Sequence, residues 1–358
     1  MRILILANKG SNHAKKVAEG LADEGLEVYF VSPNDKLDKT VTLSNKIKLF
    51  TLPFGGKVGY ILNFWTLKVL YKRINPDVVN VHYASGCGML GYLAGLHPTV
   101  LSCYGSDIFE FPHKSKLNRW ILFRVLKSVD AIASTSHGMA DEIRRLLKDE
   151  KIDVAITPFG IDTSLFKPQP QKNRNTKVIG IVKTLSPIYD IQLLIYSFKC
   201  VCDNTPYDVV LRIYGEGPQK NELQKLASDL GISNKVMFLG RIANDKVPDV
   251  INDMDVFVNC SKQESFGVNV LEAMACGVPV VATDCVGPRE LIVDGVTGYI
   301  VKDRLPQSMS DAIISLLSND TQRENMGSAG RERVCRYYDW NDNVKQLKRI
   351  LIDNSLNK

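Results

Sequence analysis

Residues 263–292 read QESFGVNVLEAMACGVPVVATDCVGPRELI. The order predicts a loop, a helix, a strand over Val278–Ala282 and a closing Gly-Pro-Arg-Glu turn. The β-branched run suits a strand buried on both faces, as in a parallel sheet. Glu264 and Glu272 stand eight positions apart, about 12 Å if one helix carries both. Carboxylates that far apart suit two parts of one extended ligand, such as a sugar and a ribose. They make a poor metal site and a poor hydrolytic dyad.

The same alternation runs outward in both directions. Ile3–Ala7, Glu27–Val31, Val78–Val81, Thr99–Cys103 and Ala131–Ser134 are predicted strands, with helices such as His13–Glu24 and Lys116–Lys127 between them. A second series follows at Lys177–Val182, Asp208–Tyr214, Val236–Leu239, Val256–Asn259, Val278–Ala282 and Gly298–Val301. The reading is α/β, with two doubly wound Rossmann-like domains facing a cleft and ligands at the carboxyl ends of the strands. A length of 358 residues fits two domains. Their expected bounds are 1–165 and 166–340, joined by a polar linker over Lys167–Thr176. A last helix over 341–358 follows.

Bulk properties exclude several classes. The net charge is +6, and residues 1–165 carry 21 Lys+Arg against 16 Asp+Glu. That bias suits an anionic membrane surface or a phosphorylated substrate and does not call for nucleic acid. Eight cysteines without a C-x-x-C pair read as reduced thiols of a cytoplasmic protein. No stretch is long enough to span a bilayer. The apolar and basic segments Tyr60–Arg73 and Lys114–Lys127 suit peripheral contact with the inner face of an anionic cell membrane, or helices packed on the sheet.

The strings SFG, EAMACGVPVVATD and DGVTGYIV, with E-x7-E, resemble the C-terminal signature of the retaining nucleotide-sugar glycosyltransferases of family 4, the group 1 glycosyltransferases. The resemblance runs over nearly the whole chain, and VKTLSP and PFGID resemble its polysaccharide-biosynthesis branch. It implies the GT-B architecture, an acceptor-binding first domain and a donor-binding second domain. The last helix would cross back to the first domain. The implied activity is metal-independent hexosyl transfer from a UDP- or GDP-linked sugar to an acceptor hydroxyl on a glycan or lipid-linked intermediate. The implied enzyme needs no cofactor.

The resemblance makes Glu272 the ribose ligand and Glu264 the sugar ligand, with Ser265 and Gly267 beside the donor and Phe266 either beside it or in the core. Gly215 and Gly217 match its G-x-G-P turn, and Gly10 would admit the sugar or diphosphate. Where relatives carry Arg, and then Lys-Gly, this chain has Lys183-Thr184, then Ile188, Tyr189 and Asp190. Lys183 is therefore the expected phosphate cation, with Arg241 as a second. His13, His82 and Tyr104 fall on the acceptor side, Tyr104 standing where many relatives have His. His13 binds acceptor or begins the helix. Asp107 binds an acceptor hydroxyl or caps the next helix. The missing Lys-Gly keeps open a catalytically weakened partner subunit. A nucleotide-sugar epimerase of the same architecture is a further alternative.

Overall fold

Aliphatic runs bounded by polar turns need burial on both faces, and parallel sheets covered by helices supply it. The computed structural model describes residues 1–34, 43–170 and 175–355. The chain divides into unit 1, Met1–Gly160 with Asn341–Lys358, and unit 2, Ile161–Trp340. Residues 171–174 of the expected linker lie outside the described residues.

The strands of unit 1 are β1 (Arg2–Leu6), β2 (Glu27–Ser32), β3 (Ile47–Thr51), β4 (Val78–His82), β5 (Thr99–Cys103), β6 (Ala131–Ser134) and β7 (Val154–Ile156). They form one parallel sheet in the order β3-β2-β1-β4-β5-β6-β7. Ile3 pairs with Val28 on one side and Val78 on the other. The strand order reverses between β1 and β4, which places the ligand crevice of such a sheet at their carboxyl ends. The helices are α1 (Asn12–Asp23), α2 (Gly56–Leu62), α3 (Phe64–Ile74), α4 (Gly86–Ala94), α5 (Ser106–Phe109), α6 (Lys116–Leu126) and α7 (His137–Leu147). Ser11 caps α1 by accepting from the Ala14 N–H.

Unit 2 carries β8 (Lys177–Val182), β9 (Val209–Tyr214), β10 (Val236–Gly240), β11 (Val256–Asn259), β12 (Val280–Thr283) and β13 (Gly298–Val301). Their order is β10-β9-β8-β11-β12-β13, again parallel, with the reversal between β8 and β11. Its helices are α8 (Ile191–Asn204), α9 (Lys220–Asp229), α10 (Val247–Asn252), α11 (Val268–Ala275), α12 (Val286–Leu291), α13 (Pro306–Ser318) and α14 (Asp320–Tyr337). Helix α15 (Trp340–Ser355) then leaves this unit. It is tied to unit 1 by Asn343 on the Pro158 carbonyl, Gln346 on the Ile156 carbonyl and Lys348 on the Glu24 carbonyl.

Three local expectations need correction. Helix α11 starts only at Val268, so Glu264 lies in the preceding loop and the 12 Å helical ruler does not apply. The Gly-Pro-Arg-Glu stretch is the interior of α12 rather than a turn. The strand after α11 begins at Val280, two residues later than the run suggests.

Candidate active site

In unit 2 an ion pair links the two segments at the strand-order reversal. Lys183 follows β8, Glu264 follows β11, and the Lys183 ammonium donates to Glu264 Oε2. Both side chains are only 14% exposed. The ammonium also lies 4.2 Å from the centroid of the Tyr189 ring. Tyr189 stands where the resemblance has Lys, so an aromatic face meets the Lys183 ammonium at that place.

The residue after it explains the rest of the departure. Asp190 holds left-handed backbone (φ 47°), which glycine adopts without strain and which the resemblance fills with Gly. Its carboxylate instead binds Arg304 at 2.5 Å. Arg304 (φ 53°) also donates to the Ser261 carbonyl at 2.7 Å and the Cys260 carbonyl at 3.1 Å. The Lys262 N–H donates to the Ile188 carbonyl at 2.8 Å. The loop that carries Glu264 is thus strapped to the turn that carries Tyr189. Neither Arg304 nor this strap was visible in the sequence, because Asp190 and Arg304 are over a hundred residues apart. Arg304→Ala removes three bonds from a guanidinium and should lower unfolding stability by about 2–3 kcal/mol. Urea denaturation checks this, and Arg304→Lys should fall between the two.

Asn269, on α11, ties the two segments together. Its side chain accepts from Asn259 Nδ2 at 3.2 Å and donates to the Val182 carbonyl at 3.3 Å, pinning α11 to the ends of β11 and β8. Gly267 caps α11 at φ 93°, and left-handed backbone is its requirement there. Ser265 is half-buried in the same loop. Phe266 is 2% exposed and packs edge-on to Tyr338, so its side chain belongs to the core rather than to a ligand.

Gly215 and Gly217 have a packing role in the turn after β9. A Cβ at Gly215 would meet the Lys183 carbonyl oxygen at 1.9 Å, and one at Gly217 the Leu185 carbonyl oxygen at 2.3 Å. These glycines let the turn after β9 lie against the Lys183 segment, so they position the cation. Glu272 sits half-buried on α11. Arg241 is exposed after β10, and Arg289 is an exposed partner of Asp284.

In unit 1 the residues expected on the acceptor side, His82 and Tyr104, meet at the ends of β4 and β5. Asn80 Nδ2 donates to the Val100 carbonyl and to Ser102 Oγ, which leaves its oxygen to accept from His82 Nε2 at 2.8 Å. His82 Nδ1 must then accept from the Tyr104 hydroxyl, at 2.6 Å. His82 is buried, and its ring supports the Tyr104 hydroxyl. His13 lies in the first turn of α1 and stacks on Phe159 at 4.2 Å, and Phe159 stacks on Tyr104 at 5.2 Å. Phe159, from the PFGID phrase, was missed as a site residue because its ring partners are distant in sequence. Gly10 is exposed in the turn before α1. Asp107 is 2% exposed, and its oxygens accept from the Ala84, Tyr104 and Gly105 N–H groups. That carboxylate holds together the loop that carries Tyr104.

Burial, with His13 as a smaller repulsion, pulls His82 from its usual 6.5 to about 3. The unfolded chain therefore binds the extra proton across that interval. The stabilising contribution is complete above about pH 6.5 and is lost as pH falls toward 3. His82→Gln should make the protein less acid-sensitive, removing roughly 2 kcal/mol of the loss in stability between about pH 7 and about pH 5. Urea titrations at the two pH values check this.

All eight cysteines are free. Among the described residues no group of three His, Cys, Asp or Glu could hold a metal ion, and no helix is long and apolar enough to cross a membrane.

Residues 162–333 match the family described as glycosyl transferases group 1, and residues 2–136 match glycosyl transferase 4-like. The chain is 29% identical to the N-acetyl-alpha-D-glucosaminyl L-malate synthase of Bacillus anthracis, over 79% of this chain and 76% of that one. It is 26% identical to TuaC of Bacillus subtilis, a glycosyltransferase named for teichuronic acid biosynthesis, over 78% and 72%. The fold matches Anabaena HepE in complex with UDP at a TM-score of 0.86 and 20% identity, covering 99% of this chain and 100% of that one. The two parallel sheets are those of the GT-B structures. The chain belongs to the group 1, family 4 glycosyltransferases, a retaining family, and is a nucleotide-sugar-dependent transferase.

Proposed function

We propose that the chain moves a hexose from a UDP-linked donor, with retention, to a hydroxyl of a glycan or lipid-linked intermediate in surface-polysaccharide assembly. The observation that carries this reading is the Lys183–Glu264 pair at the strand-order reversal of unit 2. A cation and a carboxylate joined there supply the two groups that such a donor needs. Glu264 takes the sugar hydroxyls and Lys183 the β-phosphate, so donor binding exchanges their mutual contact for contacts with the substrate. Glu272 takes the ribose hydroxyls, for which an ionised carboxylate is a strong acceptor. UDP is favoured because HepE, of the same fold, was crystallised with it.

In retaining transfer on one face, the departing phosphate accepts the acceptor proton. No histidine base is then required, which agrees with Tyr104 and the neutral, buried His82 on the unit 1 side. Negative charge grows on the diphosphate during this step, and a fixed cation is the main means of stabilising it. Tyr104, Phe159 and His13 offer aromatic faces for the acceptor.

The weakened-subunit reading keeps one observation in its favour, the ring of Tyr189 where a second cation is expected. Proton NMR of UDP-glucose, UDP-galactose and UDP-N-acetylglucosamine with a panel of glycosyl acceptors distinguishes the two readings. The transferase reading expects a product with an α-anomeric signal and UDP release that depends on acceptor. Donor binding without turnover on any acceptor would favour the weakened subunit.

A further inference from the structure

The helical layer on unit 1 leaves an unusual surface open. Residues 54–76, which include α2 and α3, carry Lys57, Lys68, Lys72 and Arg73 and no acidic residue. Residues 115–128, which include α6, carry Lys116, Arg119, Arg124 and Lys127, again with no acid. These helices all pack against α4, whose Leu93 is exposed, and Arg124 reaches from α6 to the Tyr92 hydroxyl at 3.1 Å. The surface therefore continues from α3 over α4 to α6.

Large apolar side chains stand out on it. Trp65 is 64% exposed and Trp120 58%, with Val69 one turn beyond Trp65 and Phe123 one turn beyond Trp120. Lys68 and Lys72 flank the first pair, and Lys116 and Lys127 the second, at helical spacing. A groove of about 470 Å³ between α6 and the end of α7 has Trp120 and Phe123 among its apolar lining, with leucines of both helices, and Lys116, Arg119 and Lys148 as its cations.

Exposed apolar patches mark interaction sites, and the charge selects the partner. A second copy of this face would set eight cations against eight, and like charges across an interface oppose pairing. An anionic bilayer accepts both features, because aromatic rings settle at the headgroup boundary while lysine and arginine stems extend to lipid phosphates. We infer that the α3–α4–α6 face docks on an anionic lipid bilayer, with Trp65, Val69, Trp120 and Phe123 entering the interface. The inference stands apart from the donor reading, since none of these residues belongs to unit 2.

Trp65 and Trp120 are two of the three tryptophans in the chain, so fluorescence reports on this face. The full chain is mixed with vesicles of brominated phosphatidylcholine, with and without phosphatidylglycerol, and then sedimented. Quenching and co-sedimentation are expected only with phosphatidylglycerol, and both should weaken with salt. The Lys116→Gln, Arg119→Gln double variant should bind about tenfold or more weakly, since each cation contributes about fivefold. The Trp65→Glu, Trp120→Glu double variant should not bind, while its circular dichroism and its UDP binding without vesicles stay as in wild type.

Absence of binding to anionic vesicles would overturn the inference. So would equal binding to neutral vesicles, or undiminished binding by the tryptophan variant. A dimer seen by light scattering that the tryptophan variant dissociates would assign the face to a second copy instead. Loss of UDP binding by wild type in vesicle-free buffer would strike the transferase reading and leave this one standing.

Discussion

Lys183→Ala is expected to lower kcat by about 10²–10³, with a much smaller change in donor KM. The charge that Lys183 meets is greatest when the phosphate departs, so its loss is felt in the transition state more than in the ground state. The fall should sit at the large end because Tyr189 occupies the place of a second cation. The substitution also leaves Glu264, a mostly buried carboxylate, without its partner. Steady-state kinetics with the preferred donor check this, and Lys183→Arg should recover part of the rate. A kcat near wild type would place the phosphate cation elsewhere, and Arg241 would be the next residue to replace.

Gly215→Ala is expected to destabilise the protein by about 3 kcal/mol or more and to reduce activity at least as far as loss of Lys183 does. Its Cβ would lie 1.9 Å from the Lys183 carbonyl oxygen and 2.8 Å from the carbonyl carbon, at a backbone φ of 145°. Both neighbours are backbone atoms, so no side-chain rotation relieves the clash. The β9 turn and the Lys183 segment must separate, which moves the ammonium away from Glu264. Gly231→Ala is the control. Gly231 also has left-handed backbone (φ 70°), but nothing lies within 4 Å of the added carbon. It should cost only about 1 kcal/mol and leave kcat unchanged. Thermal unfolding and kinetics on the pair separate the steric effect from the conformational one.

The central strands were legible because burial on both faces leaves long aliphatic runs such as Ile3–Leu6 and Val78–Val81. Strands β3 and β7 were not. Both are sheet edges, and β3 has only Ile47 buried, with Lys48 and Leu49 exposed. Strand β7 is three residues long. Neither carries a run that separates it from loop. The helix predicted over Lys116–Lys127 starts where expected, with Ser115 as its cap, and ends one residue early at Leu126.

The site was partly legible for a similar reason. Glu264, Glu272 and Lys183 lie inside strings that read as a signature. Arg304, Asn269 and Phe159 act through partners brought together only by the fold, and no local pattern marks them. The glycines at 215 and 217 were visible as a turn, but what they make room for was not. Backbone of Lys183 and Leu185 fills the space that a reading for ligand contact would leave open. For His82 and Asp107 the residue types pointed to chemistry. Their burial and their hydrogen bonds assign them to the support of Tyr104 and its loop.

The most direct test is isothermal titration of UDP and the common UDP and GDP sugars into wild type and Glu272→Ala. The account predicts that one nucleotide sugar binds wild type and that Glu272→Ala loses at least about tenfold in affinity, as removal of a charge-assisted acceptor from paired hydroxyls requires. Binding unchanged in Glu272→Ala, or no binding by any donor to wild type, would contradict it.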